Sequence, residues 1–111
     1  MTEPLISVHF RLTKLDAMQA YTLKREIEGA YFIKREGSVD DQKADVFVGM
    51  VPLKETLFDE LNDYVIRQQI KYDDCDIFVE AKNANGDIAV PRVVNKLLKY
   101  IDCKLTYALT N

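Results

Sequence analysis

Tryptophan is absent, histidine occurs once, cysteine twice, proline three times and glycine four times in the 111 residues. Each shortage removes a class of chemistry. The four glycines form neither a GxGxxG nor a GxxxxGK pattern, so no loop is built to cradle phosphates on backbone N–H groups. GxSxG and HExxH are missing too, which removes the nucleophile elbow and the zincin signature. His9 together with Cys75 and Cys103, which have no CxxC spacing, are too few ligands for a structural zinc site. No apolar run nears the ~18–20 residues of a membrane helix. The start, Met1-Thr2-Glu3-Pro4, lacks the basic region of a signal peptide. A cytoplasmic protein is expected, in which both cysteines are reduced core residues and not a disulfide.

What the chain has is apolar material and negative charge. Apolar residues make up 48% of it, including six tyrosines and five phenylalanines, enough to build one core without disulfide or metal. A single domain over residues 1–111 is expected. The net charge of −3 is unevenly spread. Residues 1–36 carry +1, residues 37–88 carry five cations against twelve acids for −7, and residues 89–111 carry +3. An acidic middle flanked by a mildly basic tail argues against nucleic acid as the partner.

Hydrophobic periodicity divides the chain into alternating element types. From Leu5 to Thr13, Ile6, Val8, Phe10 and Leu12 alternate with Ser7, His9, Arg11 and Thr13, the period of a strand with one buried face. Asp16 and Gln19 have capping-box spacing, and Ala20, Leu23 and Ile27 continue a helix towards Gly29. Tyr31–Glu36 and Ala44–Val51 are expected to form a hairpin across the polar connection Gly37–Lys43. Pro52 suits the first turn of a second helix, in which Leu53, Leu57, Phe58, Leu61 and Val65 recur to about Gln69. Cys75–Ala81 is a fourth strand, Asn85-Gly86 a turn and Ile88–Val90 a short returning strand. Pro91 opens a helix striped by Val94, Leu97, Leu98 and Ile101, and Cys103–Leu109 is a last strand. The expected class is α+β: a ferredoxin-like β-α-β-β-α-β core with an added C-terminal α-β, its sheet mostly antiparallel and packed by helices.

The candidates for chemistry lack partners. His9 fits a general base by type, but no nucleophile or orienting acid is matched to it, so a surface imidazole is the preferred reading. Asp73, Asp74 and Asp76 resemble a cation cluster, yet a calcium loop needs alternating ligands, a glycine turn and a distal glutamate, whereas here Cys75 interrupts the run and Ile77 and Phe78 follow at once. Asn83–Asp87 lacks the downstream carboxylate as well. Arg92, Lys96 and Lys99 form a basic stripe with no aromatic platform beside it, and are read as a solvated face. No catalytic residue, metal or cofactor is expected.

The second helix carries the more informative pattern. Glu55, Asp59 and Asp63 stand four apart with Glu60 beside them, and like charges at that spacing destabilise a helix by a few tenths of a kcal/mol. Either the face is simply solvated or it complements a basic partner. With Asp73, Asp74 and Asp76 these acids are the expected partner-binding residues. The closing segments "VPRVVNKLLKYI" and "CKLTYAL", after an Asn-Gly loop, resemble in layout a group of small bacterial α+β domains that includes toxin-immunity proteins. That resemblance covers about a third of the chain and transfers no functional residue. It implies a non-catalytic inhibitor of immunity or antitoxin type, occluding a basic toxin such as a nuclease. The alternative is a ferredoxin-like small-molecule sensor or regulatory domain acting as a dimer.

Overall fold

The computed structural model describes residues 5–35, 46–82 and 91–110. Among these residues, five strands and three helices follow in the order β1 (Leu5–Leu15), α1 (Ala17–Glu26), β2 (Tyr31–Arg35), β3 (Val46–Pro52), α2 (Phe58–Arg67), β4 (Cys75–Lys82), α3 (Arg92–Leu98) and β5 (Lys104–Thr110). Single 3-10 turns at Glu55–Leu57 and Tyr72–Asp74 lead into α2 and β4. The α+β class is borne out. The expected Gly37–Lys43 connection, Asn85-Gly86 turn and Ile88–Val90 strand fall outside the described residues. Among the described residues no helix is long and apolar enough to cross a membrane.

The strands lie in the order β2-β3-β1-β4-β5. The first three pairings are antiparallel, whereas β4 and β5 run parallel. The sheet is therefore mixed, which corrects the expectation of a mostly antiparallel one. The physical reason is the connection: α3 intervenes between β4 and β5, and a strand–helix–strand crossover returns the chain in its original direction.

Cross-strand register sorts the side chains into two faces. Phe32–Gly49–Leu12–Cys75, Val51–Phe10–Ile77–Leu105 and Val8–Val79–Tyr107 are rows on one face. Most of those residues join the core with Leu23 of α1, Leu61 and Val65 of α2, and Val94 and Leu97 of α3. The other face carries Tyr31–Met50–Arg11–Asp76–Lys104 and Pro52–His9–Phe78–Thr106. None of these belongs to the core cluster. One face is thus packed by three helices and the other is polar and aromatic.

Two local features fix the helices. At α1 the capping box forms as its spacing predicts: Asp16 accepts from the Gln19 N–H at 2.7 Å, and the Gln19 side chain accepts from the Asp16 N–H at 3.0 Å. At α2 the start is later than expected. Pro52 is the last residue of β3, opposite His9, and does not open the helix. β2 begins only at Tyr31, opposite Met50, so the missing proline N–H leaves no β2 acceptor without its donor. The Leu53 N–H then donates to Val8 O at 3.0 Å and holds the chain on the sheet until the 3-10 turn.

The C-terminus of α2 closes in a Schellman motif: Ile70 N–H donates to Val65 O and Gln69 N–H to Ile66 O. Gln69 takes the left-handed position, with φ of 55°, where a side chain costs about 1 kcal/mol. Gln69→Gly is accordingly expected to stabilise the protein by about 1 kcal/mol, raising the thermal midpoint by roughly 4 °C or more. An unchanged or lowered midpoint in calorimetry would contradict this account of the turn.

Candidate functional site

Two surfaces gather the residues with chemistry: the outward side of α2 and the helix-free face of the sheet. On α2, Leu61, Tyr64 and Val65 are buried, which turns Asp59, Glu60, Asp63, Ile66 and Arg67 outward. Asp59 and Glu60 sit in the first turn, where negative charge meets the positive end of the helix dipole. Asp59, Asp63 and Ile66 follow i, i+4, i+7 and share one stripe. Ile66 is 62% exposed. A large aliphatic side chain so held on an acidic helix contributes nothing to the core.

The seven acids expected to bind a partner are placed very differently. Glu55 accepts from Lys96 Nζ at 3.0 Å. Asp63 accepts from Arg67 Nε at 2.9 Å, and the same guanidinium reaches Glu26 at 2.5 Å. That contact lowers the Glu26 pKa and raises that of Arg67. Asp74 lies 3.5 Å from Lys14 Nζ, and its carbonyl accepts from Thr13 Oγ1. Asp59, Glu60 and Asp73 are exposed and have no ion pair among the described residues. Asp59 and Glu60 are near the start of α2 while Asp73 follows its end, separated by a helix of about 15 Å. The acids do not form one continuous patch.

Asp76 belongs to the other surface. It is only 7% exposed and lies on the helix-free face, opposite Arg11. Its carboxylate accepts from Arg11 Nε at 2.7 Å, from Arg11 Nη2, and from Thr106 Oγ1 at 2.8 Å. The guanidinium lies 4.0 Å from the centroid of Phe78, a cation–π contact. The Asp76 hydrogen bonds raise the Arg11 pKa, against the effect of burial. This constellation joins β1, β4 and β5 across the sheet, and three hydrogen bonds with 7% exposure leave Asp76 little surface to offer a partner's cation. Sequence reasoning missed Arg11, Phe78 and Thr106 as its companions. The parity of Cys75–Ala81 carried the signal, since Asp76, Phe78 and Glu80 alternate with the core residues.

His9 does share the polar face with Ser7 and Arg11, as its parity predicts. Its ring meets Tyr31 edge-on at 6.1 Å, with Nε2 3.4 Å from the tyrosine hydroxyl. Nδ1 is buried and has no hydrogen-bond partner among the described residues. Among the described residues no carboxylate bonds to that nitrogen to orient the ring. Among the described residues no three His, Cys, Asp or Glu side chains are grouped to hold a metal ion.

Both cysteines are free thiols. Burial pushes Cys75 up to about 12, and Cys103 up to about 11, so neither is a thiolate nucleophile near neutrality. Cys75 is therefore expected to erode stability at alkaline pH. An unfolded thiol ionises near its ordinary value of 9.0, whereas the folded one holds its proton to about 12, so unfolding releases a proton in between. Stability should be intact below pH 9 and fall above it by up to ~1.4 kcal/mol per pH unit for this group. Urea unfolding of wild type and Cys75→Ala at neutral and alkaline pH, under reducing conditions, measures it. Identical slopes in the two proteins would remove the thiol from the account.

Comparison with protein families, with curated proteins and with solved structures yields no match.

Proposed function

We propose that this chain is a non-catalytic protein-binding domain that docks a basic protein on the outward side of α2. The observation that carries the reading is the pairing of uncompensated charge with an apolar anchor. Asp59 and Glu60 have no ion pair among the described residues, and Ile66, two turns along, is 62% exposed. Protein interfaces concentrate their energy in such an anchor and use surrounding charge for encounter and orientation. Glu55 and Asp63 contribute less, because each already holds a cation.

An immunity or antitoxin type of inhibitor suits this arrangement. A basic toxin that acts on nucleic acid presents cations, and an acidic helix competes for them. The ferredoxin-like description of the first six elements is part of this proposal; the order β2-β3-β1-β4 with antiparallel neighbours supports it. The small-molecule reading has less behind it. Among the described residues, one recess, lined by Ile6, Ser7, Glu80 and Lys82, measures about 230 Å³, below the ~300–1,000 Å³ of most ligand pockets.

Capture from native-source lysate, with wild type and Asp59→Lys/Glu60→Lys as parallel baits, tests the reading. Wild type should retain a basic protein, inhibit its toxic activity and release it in high salt, and the charge-reversed bait should not retain it. A protein held equally by both baits would place the interface elsewhere.

A further inference from the structure

We propose that two copies of this chain associate through β5, antiparallel about a twofold axis at Tyr107, so that their sheets become continuous. β5 is an edge of the sheet, paired only with β4 among the described residues. Edge strands carry outward N–H and C=O groups that template pairing, and proteins usually blunt them with charge, proline or bulges. The opposite edge, β2, carries Lys34 and Arg35 in five residues. β5 has no proline, glycine or acid, and its single charge, Lys104, is at one end.

The side-chain pattern of β5 is self-complementary. Leu105 and Leu109 stand symmetrically about Tyr107, as do Thr106 and Ala108. Antiparallel pairing about that centre sets Leu105 of one copy against Leu109 of the other, and Tyr107 against Tyr107. An isologous interface requires this reciprocity.

Parity then decides which face the joined strands share. Leu105, Tyr107 and Leu109 lie opposite Ile77, Val79 and Ala81, all fully buried on the helix-packed face. Yet Tyr107 is 44% and Leu109 48% exposed, and Ile6, in the same row as Leu109, is exposed as well. Among the described residues, the core row runs out to the edge with nothing packed beyond it. Pairing through β5 continues it into the second copy.

Charge does not oppose the contact. The two Lys104 residues fall at opposite ends of the joined ladder, about 20 Å apart, beyond the ~8–10 Å screening length of ordinary salt. Three large apolar side chains from each copy place the interface at the small end of the range, near or below ~1,200 Å². Association should therefore depend on concentration.

Sedimentation velocity tests the inference directly. The wild-type mass should rise from 12.8 kDa towards twice that value across a range reaching about 0.5 mM, as a small interface requires. Tyr107→Lys, which sets two cations face to face at the axis, should stay monomeric with an unchanged circular dichroism spectrum. A second experiment fixes the register. In a Cys103→Ser background, Tyr107→Cys should oxidise to a disulfide dimer at least tenfold faster than Leu109→Cys. Position 107 faces itself, whereas the two copies of position 109 are about 13 Å apart, beyond disulfide reach. A wild type that stays at 12.8 kDa throughout would overturn the proposal. So would Leu109→Cys crosslinking as fast as Tyr107→Cys, or association of the wild type that Tyr107→Lys leaves intact.

Discussion

Asp76→Ala is expected to destabilise the protein by about 2–4 kcal/mol, lowering the thermal midpoint by 10 °C or more. The carboxylate is the counter-ion of Arg11, whose side chain is 24% exposed, and it also accepts from Thr106. Its removal leaves a largely buried guanidinium unpaired and a hydroxyl without its acceptor. The loss should fall short of the ~5 kcal/mol upper figure for a fully buried pair, because Arg11 still reaches water. Asp73→Ala, one exposed acid removed from the next turn, should change stability by less than ~0.5 kcal/mol. Replacing both partners, as Arg11→Leu/Asp76→Leu, should recover most of the loss, since the charge and its desolvation go together. Chemical denaturation of wild type, Arg11→Leu, Asp76→Leu and Arg11→Leu/Asp76→Leu closes a double-mutant cycle. A cost below ~0.5 kcal/mol for Asp76→Ala would show that the pair contributes nothing.

Gly49→Val is expected to be the most damaging single change in the helix-packed core. An ideal Cβ at Gly49 would lie 2.5 Å from Leu23 Cδ2, 2.9 Å from Leu15 Cδ1 and 3.3 Å from Leu12 Cδ1. The glycine lets α1 rest directly against β3, with Leu23 filling the space above the backbone. Gly49→Ala should cost about 1–3 kcal/mol through overpacking, and the branched valine more. The contact predicts a particular non-additivity. Leu23→Ala alone should cost about 2–5 kcal/mol as a cavity, but Gly49→Ala/Leu23→Ala should cost less than the two singles together, because each relieves the other. Strict additivity would mean that the two side chains do not compete for one volume.

These two sites divide what was legible in the sequence from what was not. The β1 alternation, the Asp16–Gln19 capping box and the apolar stripe of α2 are local patterns, and the structure follows all three. Pro52 misled because a proline suits both a helix's first turn and a strand's end, and only the extent of β2 beside it decides. The parallel direction of β5 depends on α3 returning the chain across the sheet. Arg11 and Asp76 are 65 residues apart, so nothing local announces their pairing. A count of acids in residues 37–88 likewise hides that Glu55, Asp63, Asp74 and Asp76 each hold a cation. Burial and cross-strand register, which residue counts do not contain, reduce seven candidates to the exposed pair on α2 and the distant Asp73.

On the proposed binding surface, free charge on α2 steers a partner towards Ile66. The most direct test is the association rate of the captured basic partner, measured across salt concentrations for wild type, Asp59→Lys/Glu60→Lys and Ile66→Ala. Wild type should show a rate that falls steeply with salt, and the double charge reversal should slow association and flatten that dependence. Ile66→Ala should leave the rate nearly unchanged and speed dissociation. Identical salt slopes for wild type and the charge-reversed protein, with Ile66→Ala also neutral, would contradict the account.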